Sequence, residues 1–202
     1  MFKKLSFSLA LIIVSSGAFT QTTTYALDKV HSRLAFEATH FAISHVTGRF
    51  ANFEVSFKSA KADFSDAVIG MIAEAKSIDT DNDMRDKDLR SEGWFNTEKY
   101  TSIEFKSTAF KKITDKSYKL EGIITIRGVS KAIVLDVTYN GKAMNPMSKK
   151  NSVGFTITGK LNRKDFGVGT DALESVVGNT IELKSDIELV VDSEVSGKKS
   201  TD

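Results

Sequence analysis

The 202-residue chain has no cysteine, one proline and three histidines. Without thiols there is no disulfide, no thiol nucleophile and no Cys-ligated zinc or haem. A single proline, Pro146, leaves the strand and helix patterns almost uninterrupted. A block of one charge sign is also missing. Lys+Arg number 28 against 26 Asp+Glu, and the Lys pairs at 111–112, 149–150 and 198–199 stand apart. Nucleic-acid binding calls for a basic face, so no nucleic-acid partner is expected. No G-x-S-x-G elbow and no H-E-x-x-H helix occur, which gives no support for a hydrolase or a zinc protease. No cofactor is expected, and the chain is not expected to be an enzyme.

The longest apolar run, Leu5 to Val14, is too short to cross a bilayer, which needs about 20 apolar residues. Lys3 and Lys4 precede it, and the small residues Ser15, Ser16, Gly17 and Ala18 follow. That order is the layout of an export leader. We expect a signal peptide over residues 1–20, a mature chain starting at Gln21, and a periplasmic or secreted location. Losing Lys3 and Lys4 brings the net charge to about zero. The remaining length suits one domain, residues 21–192, followed by a polar tail, 193–202.

What is present is a period of two. "RLAFEATHF" places Leu34, Phe36, Ala38 and His40 on one face, and "NFEVSFKS" does the same for Phe53, Val55 and Phe57. Later segments repeat it with Ile103 and Phe105, then Leu120, Ile124 and Ile126, then Phe155 and Ile157. One apolar and one polar side make half-buried strands. Short turns are expected at 115–117, 127–130, 140–142 and 177–179. One helix is expected over 82–91, with Asp79 or Asp81 near its N-cap. These elements describe an all-β antiparallel domain of about eight strands with one short helical insertion. A barrel closes such a sheet without leaving edges.

The histidines invite a metal reading, which their spacing does not support. His40 and His45 are five apart with a bend expected between them, and His31 has the opposite strand parity to His40. No metal site is expected. "DTDNDMRDKDLR" starts like a calcium loop but carries Met84 where glycine is needed and Arg90 where a bidentate Glu is needed. His40 points with the apolar residues, either as a hydrogen-bonded core residue or as a polar group inside a pocket. The fourteen phenylalanines fit a packed core and a ligand tunnel equally well.

A resemblance separates those alternatives. Asp28, His31, Ser32, Phe36, His40, Val46, Gly48 and Phe50 resemble the opening signature of the YceI-like family, the polyisoprenoid-binding proteins. Leu89, Phe95, Tyr100, Ile103 and Phe105 resemble its middle block, and Gly122, Ile126, Gly128 and Val129 its central hairpin. Gly154, Phe155, Arg163, Asp165, Phe166 and Gly167 resemble its closing block. The chain departs from the pattern at Asp88, where a His is common, at Trp94-Phe95 for Phe-Phe, and at Tyr100-Thr101 for Tyr-Pro.

The resemblance implies a lipocalin-like barrel with a long apolar tunnel. The implied partner is an isoprenoid or other long-chain amphiphile of quinone or polyprenyl type, bound and carried or stored. Transient membrane contact and a homodimer are compatible with that role. Phe36, Ala38, Phe53, Phe57, Ile103, Phe105, Ile124, Ile126, Phe155 and Ile157 are the expected tunnel residues. His40, His31 and Arg163 are the expected head-group residues. Two readings compete with carriage. One is an enzyme acting on a lipid-like substrate, with His40 as acid or base oriented by Asp28 or Asp165. The other is a scavenger of hydrophobic toxins.

Overall fold

A computed structural model describes residues 21–147 and 149–194. The expected leader and the tail beyond residue 194 lie outside the described residues. The period-two segments form β1 (Thr23–Leu27), β2 (Leu34–His40), β3 (Ser44–Phe50), β4 (Phe53–Ser59), β5 (Val68–Glu74) and β6 (Ile78–Asp79). After helix α1 (Asp83–Arg90) come β7 (Ser102–Lys112), β8 (Ser117–Ile126), β9 (Val129–Met144), β10 (Asn151–Asn162) and β11 (Val177–Glu194). Strand β11 runs past the expected domain end at 192.

Strands β4, β5, β7, β8, β9, β10 and β11 pair in that order, and β1 bridges β11 and β4 to close an antiparallel barrel of eight strands. The long β11 sets the asymmetry. One of its edges lies along β10. The other is divided, with Val177 and Ile181–Leu183 on β2 and Leu189–Glu194 on β1. Strands β2, β3 and β6 therefore leave the barrel as a three-stranded flap.

Two expected turns are instead irregularities inside long strands. At 140–142 the register shifts between Gly154 and Phe155, which pair with Gly141 and Tyr139, so β9 continues to Met144. At 177–179 the register shifts between Val177 and Ile181. Bulges of this kind bend a strand without ending it, and local glycine and asparagine signals do not tell the two apart. The cap of α1 is Asn82, one residue beyond the expected Asp81; its side chain accepts from the Arg85 N–H at 3.0 Å. The β8–β9 connection turns on Arg127 and Gly128, both at positive φ, as a two-residue hairpin requires. The Arg127 guanidinium donates to the carbonyls of Trp94 and Gly167, which holds a non-glycine residue in that conformation.

One end of the barrel is closed by rings. Phe64, in the β4–β5 loop, lies 5.8 Å from Phe57, 5.6 Å from Tyr139 and 5.6 Å from Phe155 between centroids, mostly edge-on. Tyr25 packs on Phe57 and Phe64, while Phe110 stacks on Tyr118 at 4.7 Å. The Tyr118 hydroxyl donates to the Asp63 carbonyl at 2.8 Å, anchoring the loop beside Phe64. Asp66 accepts from the Ser59 hydroxyl and from the Ala60 and Lys61 N–H groups, which ties the same loop again.

Candidate ligand-binding cavity

Above this aromatic base the inward faces do not meet. They enclose a cavity of about 510 Å³, within the usual range for small-molecule sites. Its wall is built from alternate residues of the barrel strands, such as Val55 and Phe57 on β4, Phe105 on β7, Leu120, Ile124 and Ile126 on β8, and Phe155 and Ile157 on β10. Phe57, Phe110 and Phe155 form the floor and are also members of the aromatic cluster. The flap extends the wall with Leu34, Phe36, Ala38 and His40 from β2 and with Val46 and Phe50 from β3. Met84, Arg85, Asp88 and Leu89 of α1, with Trp94 and Phe95 after it, complete the enclosure.

The mouth is marked by cavity residues that also meet solvent, Asn82, Met84 and Asp88; Met84 is 77% exposed. Thr80 sits behind them and is fixed, because Asp86 accepts from its N–H and its hydroxyl. Arg85 donates through Nε to the Thr80 hydroxyl at 2.8 Å and through Nη2 to the Thr80 carbonyl at 2.6 Å. His40, which ends β2, also lines the cavity, with its ring centroid 4.2 Å from that of Phe41. The turn beyond it holds Phe41 and Ala42 at positive φ, closed by the Ile43 N–H on the His40 carbonyl. Two adjacent non-glycine residues in that region are costly.

Of the thirteen residues expected at the site, eleven line the cavity: Phe36, Ala38, His40, Phe57, Ile103, Phe105, Ile124, Ile126, Phe155, Ile157 and Arg163. Phe53 does not. It opens β4 next to a turn tied down by Ser77, and its ring is buried in packing away from the cavity. His31 does not either. It precedes β2, its side chain is exposed, and its Nδ1 lies 3.0 Å from Asp28 Oδ2.

Arg163 is at the wall but has no donor to offer a head group. Its Nε donates to Gly178, its Nη1 to Val168 and Gly169, and its Nη2 to Ala172 and Val177, all at main-chain carbonyls. These use the five N–H groups that a guanidinium has. Burial lowers its pKa, against the opposing charge of Glu174. It clamps the loop from 167 to 178, with its guanidinium 5.6 Å from the Trp94 ring.

The carboxylates expected to orient a catalytic His40 are engaged elsewhere. Asp28 accepts from the Val30 and His31 N–H groups and pairs with the His31 ring. Asp165 lies 3.9 Å from Lys131. Asp28, His31 and Glu188 bring candidate metal-ligand atoms within 4.8 Å of one another, a grouping that sequence spacing cannot reveal because Glu188 comes from β11. The Asp28 contacts just named hold Asp28 and His31 together as a fixed turn.

The reading of alternating strands missed the residues outside strands. Phe64, Met84, Leu89, Trp94, Phe95 and Phe166 lie in loops or short helices, yet Phe64 closes the base and the others line the cavity. The adjacent aromatics Trp94-Phe95, in an otherwise polar stretch, were the available signal.

A closed eight-stranded antiparallel barrel with an apolar interior, a ring-sealed base and a polar-edged mouth defines a lipocalin-like fold. The family model described as "YceI-like domain" matches residues 25–189, and the chain belongs to that family. A UPF0312 protein of Staphylococcus aureus is 32% identical over 173 residues, covering 84% of this chain and 98% of its own. The crystal structure of a Campylobacter jejuni YceI protein aligns with a TM-score of 0.69 at 29% identity, covering 77% of this chain and 90% of that one. A polyisoprenoid-binding domain from Saccharophagus degradans has a TM-score of 0.64 at 14% identity, covering 84% of this chain and 99% of that one. At that identity the likeness concerns the fold.

Proposed function

We propose that this protein binds one long-chain isoprenoid or similar amphiphile, tail first, and carries or stores it without transforming it. The observation that carries the reading is an apolar cavity sealed at one end by aromatic rings and edged at the other by Asn82, Met84 and Asp88. A tail of a dozen methylene equivalents gains on the order of 10 kcal/mol on burial, at about 0.8 kcal/mol each. Lost translation and chain ordering offset several kcal/mol, which leaves roughly 6–7 kcal/mol, an affinity on the order of 10 μM. The YceI-like family and the polyisoprenoid-binding neighbour support this ligand class.

The leader-like residues 1–20 support action in an exported compartment. Exposed Met84 at the mouth, with Phe41 and Ile43 exposed on the turn after the lining residue His40, supports transient contact with a membrane during loading. Trp94, the sole tryptophan, lines the cavity and reports occupancy. Delipidated protein titrated with geranylgeraniol is expected to change Trp94 emission, saturating at one equivalent. No change with geranylgeraniol, farnesol or hexadecanol would sink the reading. His40→Ala separates it from catalysis: a binding protein changes affinity only, and recovery of a modified lipid from the parent but not from the variant would identify an enzyme.

A further inference from the structure

Among the described residues, three inward strand positions, Gly48, Gly122 and Gly159, carry no side chain, and two of them can take one without displacing backbone. In β3 the inward set is Val46, Gly48 and Phe50; in β10 it is Phe155, Ile157, Gly159 and Leu161. Both Gly48 and Gly159 are overlaid by a side chain of the strand paired beside them. A Cβ on Gly159 would lie 2.3 Å from a δ-methyl of Leu135, and a Cβ on Gly48 would lie 2.4 Å from the tip of the Phe36 ring. Leu135 and Phe36 line the cavity, whereas the glycines beneath them do not. The missing side chains let both residues lie back against the wall.

We infer that Gly159 and Gly48 determine ligand selectivity by setting the width of the bore, so that it admits methyl-branched chains and not only straight ones. The inference rests on the proposed binding function and adds which chain shape the site accepts. At Gly159 a Cβ would meet only the Leu135 side chain at clashing distance. The leucine can swing, and the enclosed side of the wall is the space open to it. At Gly48 the added atom would also meet the Thr80 methyl at 2.8 Å. Thr80 is held by Asp86, so the Phe36 ring must give way. Neither glycine has positive φ, so alanine is sterically allowed by the backbone at both. Gly122 is a different case. A Cβ there would meet the Lys106 carbonyl at 2.5 Å as well as Phe105, so its substitution distorts the sheet itself.

The test compares geranylgeraniol, which is branched, with hexadecanol, which is straight, by Trp94 titration. Gly159→Ala is expected to weaken geranylgeraniol about tenfold relative to hexadecanol, the discrimination that one methylene gives in an apolar pocket. Gly159→Ala with Leu135→Val restores the parent ratio. Leu135→Ala alone moves the ratio the other way, and it decides the matter if Gly159→Ala fails to fold. An unchanged ratio in folded Gly159→Ala, or an unchanged ratio in Leu135→Ala, overturns the inference while leaving the binding function intact. A parent protein that takes up neither alcohol overturns both, and is recognised by the absence of any signal before a variant is made.

Discussion

Phe64 offers the sharpest test of how the cavity ends. It sits at φ 59 in a loop, where a bulky residue is rare, and is only 5% exposed. It touches Tyr25, Phe57, Tyr139 and Phe155 at 5.6–6.1 Å between centroids. Phe64→Ala removes four ring contacts and leaves a hole beneath the floor. Truncations of this kind cost about 3–5 kcal/mol, and the contacts here place it near 4. Ordinary domains have about 5–15 kcal/mol in hand, so the variant still folds.

Urea unfolding reads the loss as a lower midpoint at unchanged slope. The same variant frees the undersides of Phe57 and Phe155, which form the floor. Its affinity for chains longer than geranylgeraniol, such as a nine-unit polyprenol, is then expected to rise relative to geranylgeraniol itself. A variant that loses stability without any shift in chain-length preference would refute the idea that Phe64 seals the cavity. A variant that loses less than about 1 kcal/mol would refute the packing argument behind it.

Other expectations follow from the same contacts. Arg163→Lys cannot serve five carbonyls at once. It should lower stability by more than about 3 kcal/mol and raise amide exchange over residues 167–178, measured by mass spectrometry. The Asp28 hydrogen bond raises the pKa of His31, while His31 and two N–H groups lower that of Asp28. The imidazole's share of stability is therefore complete below its ordinary value and is lost as pH rises through the raised one. The carboxylate's share is present above its ordinary value and is lost as pH falls through the lowered one. NMR titration should find His31 shifted upward, and Asp28→Asn should return it to normal.

Much of the wall was legible in the sequence because a barrel strand records its inward face as every second residue. Leu34, Phe36, Ala38 and His40 stood on one face of a segment, and all four reach the cavity. The same rule cannot see where a strand stops. Gly141 and Gly178 looked like turns and are parts of bulged strands, because a bulge needs the same local freedom as a turn. Nor does parity say which inward residues pack against each other and which leave space. Phe53 shares a face with Phe57, yet Phe53 is taken up by packing at the strand end and only Phe57 meets the cavity. Arg163 shows a further limit. The resemblance implied a head-group residue, but the bonds that consume its N–H groups come from a loop whose path only the fold reveals.

The most direct test of the central claim is native mass spectrometry of the protein, purified without detergent from its own host, with solvent extraction of whatever it holds. The account predicts a one-to-one adduct whose extracted mass is that of a long-chain isoprenoid or related amphiphile, displaced by added geranylgeraniol. Protein at its bare mass that also fails to take up geranylgeraniol, farnesol or hexadecanol would contradict it.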